Sequence, residues 1–387
     1  MNITIPGFSP LYPQMHCTAS GEVCQITAGE GEINAAASVM SLALASSTAG
    51  RARLDLRKTY FLAAGIAGVN PKLSTLGGVA LARFAVQVAL QYEIDAREMP
   101  QGFDTGYLPY GVNSSLNYPT TQYGTEVMEL NVALRDAVLE FARTAKLNDT
   151  SGAAAHRALY AVADGDEYEA ATKGPEVSAC DAATSDVYYS GTLLSETFET
   201  TTRIWTNQTE TTYCMTAQED VAVLQALMRA HLWGFVDYTR AIVLRTGVWA
   251  GISLLYFPRR GEDLKLIVRT LGSNFDRPPP NVTAFDHLRG EDQNGFEIAI
   301  ANLYLSGVEI VRGIIRDWNC TYEAGIKPTN YVGDILGSLG GEPDFGLGGQ
   351  FSGRGACSDG VPEGDSAGVA RSLMRTRKKR GAGARRK

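Results

Sequence analysis

The order of apolar and polar positions predicts helices that alternate with short buried strands. Residues 33–46 are rich in alanine and leucine and follow a glycine-containing turn, which favours a helix. Residues 132–146 repeat apolar side chains at helical spacing after Asn131, whose side chain suits an N-cap. Further helices are predicted at residues 219–231 and 295–316, the latter continuing into a second element.

Apolar runs between these helices read as strands at residues 22–28, 59–64, 77–81, 84–90 and 240–244. Strands that alternate with helices predict a three-layer α/β domain around a mixed, largely parallel sheet. In such sheets ligands bind beyond the carboxyl ends of strands. We therefore expect a site near Gly65, near Ser185 and Asp186, and after Leu244.

The composition of the 387-residue chain, 44% hydrophobic and 20% charged, is that of a globular protein with a sizeable core. Its net charge of −7 is uneven, because residues 371–387 hold nine basic side chains and no acidic one. The residues before position 371 are net acidic and do not provide the excess of basic side chains typical of a nucleic-acid-binding protein. No nucleic-acid partner is therefore expected. We predict one domain over residues 1–345 and a Gly-rich, then basic, stretch over residues 346–387 that is an unfolded tail or translated downstream sequence, with a nucleic-acid or nuclear motif as the alternative.

The apolar segments do not read as membrane spans, which need about 20 consecutive apolar residues. Residues 75–92 contain Arg83, and residues 221–238 contain Arg229. Residues 247–257 carry no charge but are too short. We therefore expect no transmembrane segment.

Asn-x-Ser/Thr sequons indicate a secreted or cell-surface glycoprotein. Six of them begin at Asn2, Asn113, Asn148, Asn207, Asn281 and Asn319. The chain has 14 asparagines, and chance would supply about two sequons at ordinary Ser and Thr frequencies. Each is an N-glycan acceptor in the secretory pathway. Because the sequence opens without the charged and apolar regions of a signal peptide, we expect the signal to be absent from it.

The cysteines fit an oxidising compartment. Two pairs are disulfide candidates: Cys17 with Cys24, and Cys180 with Cys214. Reduced, buried cysteines are the alternative for each pair. Cys320 and Cys357 have no obvious partners, and neither a C-x-x-C spacing nor a histidine cluster supports a metal site.

Seven segments, in order along the chain, resemble the purine nucleoside permease family. They are GEGEINAAA (29–37), KTYFLAAGIAGVNP (58–71), ARFAVQVALQYEIDARE (82–98), YGTEVMELN (123–131), ACDAATSDVYYSGTLLSETFE (179–199), YCMTAQED (213–220) and KPTNYVGDILGSLGG (327–341). The resemblance implies a nucleoside phosphorylase-like fold, a purine nucleoside as ligand and a role in nucleoside uptake. It also implies an initial strand and active-site loop that this sequence lacks.

The resemblance implies that a glycine loop lies under the sugar or a phosphate. Gly65, Ala67 and Gly68 form this loop, where glycine allows close backbone approach and presents free N–H groups. Taken alone, most loops of this kind are tight turns. The assignment therefore depends on the family.

The resemblance also assigns residues that hold the purine base. Ser185, Asp186 and Tyr188 match the segment that places an aromatic ring over the base, with Tyr189 as a second candidate. Such stacking is worth about 1–3 kcal/mol. Alternating aromatic residues in the core of a strand are the structural alternative.

The sugar position is implied by Gln218 and Glu219, which match a Met–Glu pair of related nucleosidases. The Glu219 carboxylate would accept hydrogen bonds from both ribose hydroxyls. The Gln in place of Met predicts a more polar sugar pocket. An acidic residue that favours the dipole of the following helix is the structural alternative.

Asn274 and Asp276 are the catalytic candidates, with an Asn-x-Asp-x-Pro turn that has no chemical role as the alternative. The resemblance places here a donor to N7 of a departing purine, which lowers the barrier to cleavage. Related enzymes often use Asp, whereas Asn274 can donate a hydrogen bond but cannot deliver a proton. Phosphorolysis, with phosphate as co-substrate and no other cofactor, is therefore easier than hydrolysis. The four histidines show no pairing with a Ser or Cys nucleophile and read as structural or surface residues.

Residues 247–271 interrupt the resemblance, and Arg245-Thr246 recurs as Arg269-Thr270. A loop of this length is uncommon in a compact domain. We interpret the segment as retained intron sequence, with a family-specific loop as the alternative.

Three functions follow from these observations. The first is a soluble nucleoside-binding protein with a phosphorylase-like site that serves uptake together with a membrane transporter. The second is cleavage of the purine nucleoside N-glycosidic bond, by a phosphorylase or a nucleosidase. The third is an inactive, truncated product of the gene as translated. Assembly into a homo-oligomer stays open.

Overall fold

The computed structural model describes residues 1–47, 54–162, 165–207, 213–247, 250–256, 274–289 and 292–345. Its α-helices are α1 (Glu32–Ser47), α2 (Val132–Ala142), α3 (Ser151–Arg157), α4 (Glu169–Thr172), α5 (Thr192–Trp205), α6 (Asp220–Leu232), α7 (Ala284–Arg289) and α8 (Phe296–Arg316). Short 3-10 helices span Ala158–Val162 and Tyr238–Arg240, and a π-helix spans Trp318–Tyr322. The predicted tail over residues 346–387 lies outside the described residues.

The strands are short and numerous. They are β1 (Asn2–Thr4), β2 (Gln14–Cys17), β3 (Cys24–Thr27), β4 (Phe61–Ile66), β5 (Gly68–Val69), β6 (Val79–Leu81), β7 (Phe84–Gln87), β8 (Tyr92–Glu93), β9 (Tyr107–Leu108), β10 (Val127–Glu129), β11 (Val177–Ala179), β12 (Asp181–Thr184), β13 (Tyr213–Ala217), β14 (Ala241–Thr246), β15 (Ala250–Tyr256) and β16 (Gly333–Asp334). The strands predicted at residues 22–28, 59–64, 77–81, 84–90 and 240–244 correspond to β3, β4, β6, β7 and β14.

Two larger sheets and one hairpin contain these strands. The first sheet has the order β1-β2-β3-β15-β4-β14-β6-β11, the second has the order β16-β10-β7-β12-β13-β5, and β8 pairs with β9. The pairs β4–β14, β6–β11, β7–β12 and β12–β13 are parallel. The α/β class and the mixed sheet are confirmed, but antiparallel pairs outnumber parallel ones. Short connections such as those between β1, β2 and β3 favour antiparallel pairing, since a parallel pair needs a long crossover.

Strand β4 shows why helices cover both faces of the first sheet. All six of its residues are buried, and successive side chains of a strand point to opposite faces. Phe61 and Ala63 pack in a core that contains residues of α1 and α6. Leu62 and Ala64 pack in a second core with residues of α2 and α8. The sheet therefore lies between two helical layers.

Helix α8 is long and apolar enough to cross a membrane by length and composition, and it is the one such helix among the described residues. In the fold, Ile298 lies in one apolar core and Ile310 and Ile314 lie in another, which also contains residues of β4 and β14. Helix α8 therefore packs as a core helix.

The segment predicted to be an insertion contributes a strand. The backbone of Ala250–Tyr256 forms β15, antiparallel to both β3 and β4. Residues 248–249 and 257–271 lie outside the described residues. The origin of the segment stays a prediction.

Two disulfides tie the chain. Cys17 and Cys24 bridge β2 and β3 with their Cα atoms 4.0 Å apart. Cys180 bridges to Cys214 of β13 with their Cα atoms 5.9 Å apart. Cys320 is a free, exposed thiol, and Cys357 lies outside the described residues.

Candidate functional site

The carboxyl ends of two pairs of parallel strands bring the predicted site segments together. Beyond β4 and β14, the Ala67 amide donates to the Thr246 carbonyl at 2.7 Å, and beyond β12 and β13, the Ser185 amide donates to the Ala217 carbonyl at 2.9 Å. The segment with Asn274 joins them, because its carbonyl accepts from the Val69 amide at 3.0 Å. Between these ends lies a small cavity lined by Ile66, Gly68, Ser185, Val187, Tyr188, Tyr189, Thr216, Ala217, Gln218 and Asn274.

About half of the predicted site residues line the cavity. Those on its wall are Gly68, Ser185, Tyr188, Gln218 and Asn274, and Tyr189, the second candidate for the base, lies there too. Asp186 lines a neighbouring groove instead. The others lie outside the linings of both the cavity and the groove, and they are Gly65, Ala67, Glu219 and Asp276.

The cavity and the groove differ in size. The cavity has a volume of about 20 Å³, which is room for about one water molecule. The groove has a volume of about 670 Å³ and lies between α1 and α6. Ser185 and Val187 line both spaces, so the two are adjacent.

Position 68 requires a glycine because the neighbouring strand lies close to its backbone. It pairs with Thr216 across β5 and β13, and a Cβ at this position would clash with the Thr216 hydroxyl. Any larger residue would therefore displace the wall of the cavity. This explains a glycine here without reference to a ligand.

Tyr188 and Asn274 face each other in the cavity. Burial raises the pKa of Tyr188, and a hydrogen bond with the Asn274 side chain opposes the rise. Asn274 also donates from Nδ2 to the Phe275 carbonyl at 2.8 Å. Its Oδ1 is buried and has no hydrogen-bond partner in the described part of the chain. An unsatisfied buried acceptor is costly, so Oδ1 is suited to a donor group of a ligand.

Glu219 is the N-cap residue of α6, but its side chain does not cap that helix. Its Oε1 instead accepts from the Gly31 amide at 3.2 Å, and Asp186 Oδ1 accepts from the Glu32 amide at 2.8 Å. Both acids therefore lie at the positive end of α1. Gly31 has φ of +81°, a left-handed conformation that favours glycine.

Arg245 lies behind this end of α1. Its Nε donates to both carboxylate oxygens of Asp220 at 3.0 Å, and its Nη2 lies 3.5 Å from Glu219 Oε2. All three side chains are almost fully buried. The guanidinium therefore pairs mainly with Asp220, and its ion pair with Glu219 is weaker.

Two glutamates of this region have strongly raised pKa values. Burial raises the pKa of Glu219 to about 7, although Arg245 opposes the shift. Burial, with the charges of Asp186 and Glu219 adding to it, raises the pKa of Glu32 to about 7. The Glu32 carboxyl accepts a hydrogen bond from Gln87 Nε2. Two acids that titrate near neutral pH beside a cavity mark a candidate functional site.

Asp276, a predicted catalytic residue, is held in a buried ion pair. Arg277 Nε donates to its Oδ1 at 2.7 Å, and the Tyr213 hydroxyl donates to its Oδ2 at 2.7 Å. Asp276 is 1% exposed and does not line the cavity. This arrangement favours a structural role, because the ion pair uses both carboxylate oxygens.

One histidine does bond to a serine, contrary to the sequence analysis. His287 Nδ1 lies 2.7 Å from Ser190 Oγ. Gln293 Oε1 accepts from the Phe275 amide, so its Nε2 must donate to His287 Nε2. His287 Nδ1 therefore carries the proton and donates to Ser190. The imidazole cannot act as a base toward this hydroxyl, and the interpretation as a structural histidine is retained.

Several residues of the site escaped the sequence analysis, namely Gly31, Glu32, Gln87, Thr216, Asp220 and Arg245. The one available signal was a charged residue, Arg245, at the end of a buried apolar strand. The others lie in segments whose contacts are set by distant parts of the chain. Among the described residues, no group of three or more His, Cys, Asp and Glu side chains is placed to hold a metal ion.

These features define a three-layer α/β protein with a candidate ligand site where strands of two sheets end. A sequence model of the purine nucleoside permease family (NUP) matches residues 1–249 and 263–327. A purine nucleoside permease of Candida albicans is 41% identical over 352 residues, which cover 89% of this chain and 77% of the relative. A probable purine nucleoside permease of Schizosaccharomyces pombe is 35% identical over 326 residues, 82% of this chain and 83% of the relative. The chain belongs to the purine nucleoside permease family, which confirms the resemblance.

Solved structures similar to this chain include 5'-methylthioadenosine/S-adenosylhomocysteine nucleosidases. That of Streptococcus pneumoniae with a transition-state inhibitor aligns with a TM-score of 0.40 at 14% identity, covering 82% of this chain and 90% of that chain. That of Neisseria meningitidis with methylthio-immucillin-A aligns with a TM-score of 0.38 at 12% identity, covering 77% and 89%.

Proposed function

We propose that this chain is a soluble, secreted or cell-surface protein that binds purine nucleosides for uptake. The observation that carries the proposal is the convergence of Gly68, Tyr188, Gln218 and Asn274 on one cavity, with the buried acid Glu219 next to it. Family membership supports a nucleoside as the ligand. An integral membrane partner would then move the nucleoside across the bilayer.

The purine base is assigned to the cavity. Tyr188 supplies an aromatic face, and stacking of a base on such a ring is worth about 1–3 kcal/mol. Asn274 Oδ1, which is buried without a hydrogen-bond partner among the described residues, accepts from an N–H group of the base. An aromatic face together with a hydrogen-bond acceptor directed into the cavity can recognise a flat heterocycle.

The sugar is assigned to the junction of the cavity and the groove. Glu219 already accepts from the Gly31 amide, but a carboxylate has about four lone-pair directions. In its ionised form it can therefore also accept from two vicinal hydroxyls. Arg245 and the amide end of α1 stabilise that ionised form.

Binding requires side chains to move. The cavity holds about one water in the arrangement described, whereas the groove beside it is far larger. Val187 lines both spaces and is 61% exposed. We assign to the segment of Val187 and Tyr188 an outward movement that joins the cavity to the groove.

Cleavage of the N-glycosidic bond is the second candidate, favoured by the position of Asn274 in the cavity. An amide can hydrogen-bond to the departing base and stabilise its negative charge. Cationic side chains commonly hold a phosphate co-substrate together with backbone N–H groups. The described residues on the cavity wall include neither Lys nor Arg, and Arg229 lines the groove. The balance therefore favours binding over phosphorolysis.

The test uses the purified full-length chain with guanosine and inosine. Calorimetry measures binding, and chromatography measures free base with and without phosphate. Saturable binding without base release supports the first function, and base release establishes the second. Absence of both binding and release, from protein that unfolds cooperatively, would overturn both. Uptake of labelled guanosine by cells with and without the chain then tests the transport role.

A further inference from the structure

The asparagines in sequons are exposed, whereas most of the other asparagines of this chain are buried or half-buried. All six sequon asparagines are exposed, and they are Asn2, Asn113, Asn148, Asn207, Asn281 and Asn319. Of the eight others, two are exposed, Asn117 and Asn294. The remaining six are buried or half-buried, and they are Asn34, Asn70, Asn131, Asn274, Asn302 and Asn330. Asparagines in sequons are therefore exposed more often than the other asparagines of this chain.

The buried asparagines have structural tasks that the sequon asparagines do not share. Asn131 caps α2 by accepting from the Leu134 amide at 3.2 Å. Asn302 donates to the carbonyls of Gly77 and Asn148 at 2.8 and 3.0 Å. Asn2 bonds to His16 at the surface through its Oδ1, whereas a glycan attaches to the amide nitrogen.

The sequons lie outside the main helices and the inner strands. Asn207 follows α5 with φ of +52°, and Asn281 precedes α7 with φ of +68°. Asn319 lies in the π-helix after α8. Asn113 lies in an irregular segment, and Asn148 lies between α2 and α3. Surface connections of this kind accept a bulky group without disturbing a core.

We propose that these six asparagines are the N-glycan acceptors of the folded protein. The donor class is a lipid-linked oligosaccharide pyrophosphate. The amide nitrogen of asparagine forms a bond to C1 of the first sugar and loses a proton. The bond between C1 and the pyrophosphate oxygen breaks, and the lipid pyrophosphate leaves. The two disulfides are independent support, because disulfides persist in the same oxidising compartments.

The glycans leave the candidate ligand site open. None of the described residues on the wall of the cavity or the groove is a sequon asparagine. Enzymatic removal of glycans from the folded protein should therefore leave guanosine affinity unchanged. The modification is also independent of the proposed function, because it requires only export and exposure.

The experiment maps the asparagines in the chain isolated from its own cells. A peptide N-glycosidase acting in heavy-oxygen water converts each glycosylated asparagine to labelled aspartate, which peptide mass spectrometry locates. We expect label at most of the six sequons and at neither Asn117 nor Asn294. Recovery of most sequon peptides with unmodified asparagine overturns the proposal.

A matched pair of variants tests the assignment of single sites in the full chain carrying a secretory leader. Asn113 and Asn117 are both exposed and four positions apart. Before glycosidase treatment, N113Q should be lighter than the parent protein by the mass of one glycan. After treatment, the two proteins should no longer differ by a glycan. N117Q should migrate as the parent protein in both cases. An unchanged mass of N113Q, with Asn113 unmodified in the parent, removes Asn113 from the set.

Discussion

The Arg245 guanidinium is bound more closely to Asp220 than to the neighbouring acid. Its Nε lies 3.0 Å from both oxygens of Asp220, whereas its Nη2 lies 3.5 Å from Glu219. Asp220 is thereby neutralised in place. Glu219 keeps a pKa raised by burial to about 7, so its charge can respond to a ligand.

Replacement of Arg245 by Met should destabilise the fold. The change leaves Asp220 buried and unpaired, for which a loss of about 3–5 kcal/mol in the free energy of unfolding is expected. Urea unfolding measures it. R143M is the control, because Arg143 forms an exposed ion pair with Glu140, worth about 0–1 kcal/mol. If R245M were as stable as R143M, the buried pair would not be a stabilising contact.

Glu219→Gln should weaken nucleoside binding while leaving the fold intact. The neutral amide offers one uncharged acceptor oxygen where the carboxylate offers two charged ones, and loss of a charged hydrogen bond costs about 1.5–3 kcal/mol, or about 10- to 150-fold in Kd. Calorimetry with guanosine measures the change. Glu140 is exposed, so E140Q should bind as the parent does. Equal affinities for E219Q and E140Q would exclude Glu219 from the sugar site.

Nucleoside affinity should depend on pH through Glu219. The folded-state pKa of Glu219 is raised to about 7 by burial, so the carboxyl is protonated below that pH and ionised above it. Because only the ionised form accepts from both hydroxyls, affinity should rise as pH increases through about 7. The free protein should respond in the opposite sense. The contribution of Glu219 to the free energy of unfolding is fully present below the unfolded pKa of about 4.3. This contribution is lost as pH rises through about 7.

The control for this pH dependence is the variant that cannot titrate. E219Q should bind weakly with an affinity that changes less across the same range. The remaining change would come from Glu32, whose pKa is also raised to about 7 by burial. A pH profile of E219Q identical in shape to that of the parent would contradict the assignment.

Tyr188→Leu should reduce affinity for a nucleoside by removing the aromatic face. The expected loss is about 1–3 kcal/mol, and Y188F should keep most of the affinity because it keeps the ring. Tyr123, which is 60% exposed and does not line the cavity, provides the control Y123L. Binding by Y188L at the parent affinity would place the base elsewhere.

Asn274→Asp should raise cleavage of the N-glycosidic bond. A protonated carboxyl can transfer a proton to the departing base, which an amide cannot do, and general acid catalysis contributes about 10²–10⁴-fold. Chromatographic assay of free guanine from guanosine measures the rate for N274D and for N274A. If N274D released no more base than N274A while binding guanosine, position 274 would not lie at the reacting bond.

The class of fold and the segments that form the site were predictable from the order of residues alone. Residues 59–64 read as a buried strand because a strand covered on both faces is apolar throughout, and β4 confirms this. Asn131 marked the start of α2 because capping is a local interaction. The pairing of strands was less predictable, because it depends on which connections are long enough for a crossover.

The contacts of each site residue, in contrast, depend on how distant elements pack. Asn274 and Asp276 are two positions apart, yet one faces the cavity and the other is locked to Arg277. Glu219 bonds to Gly31, 188 positions away, and Arg245 reaches it from a different strand. Such contacts are set by the packing of distant elements, and no local pattern of residues encodes them.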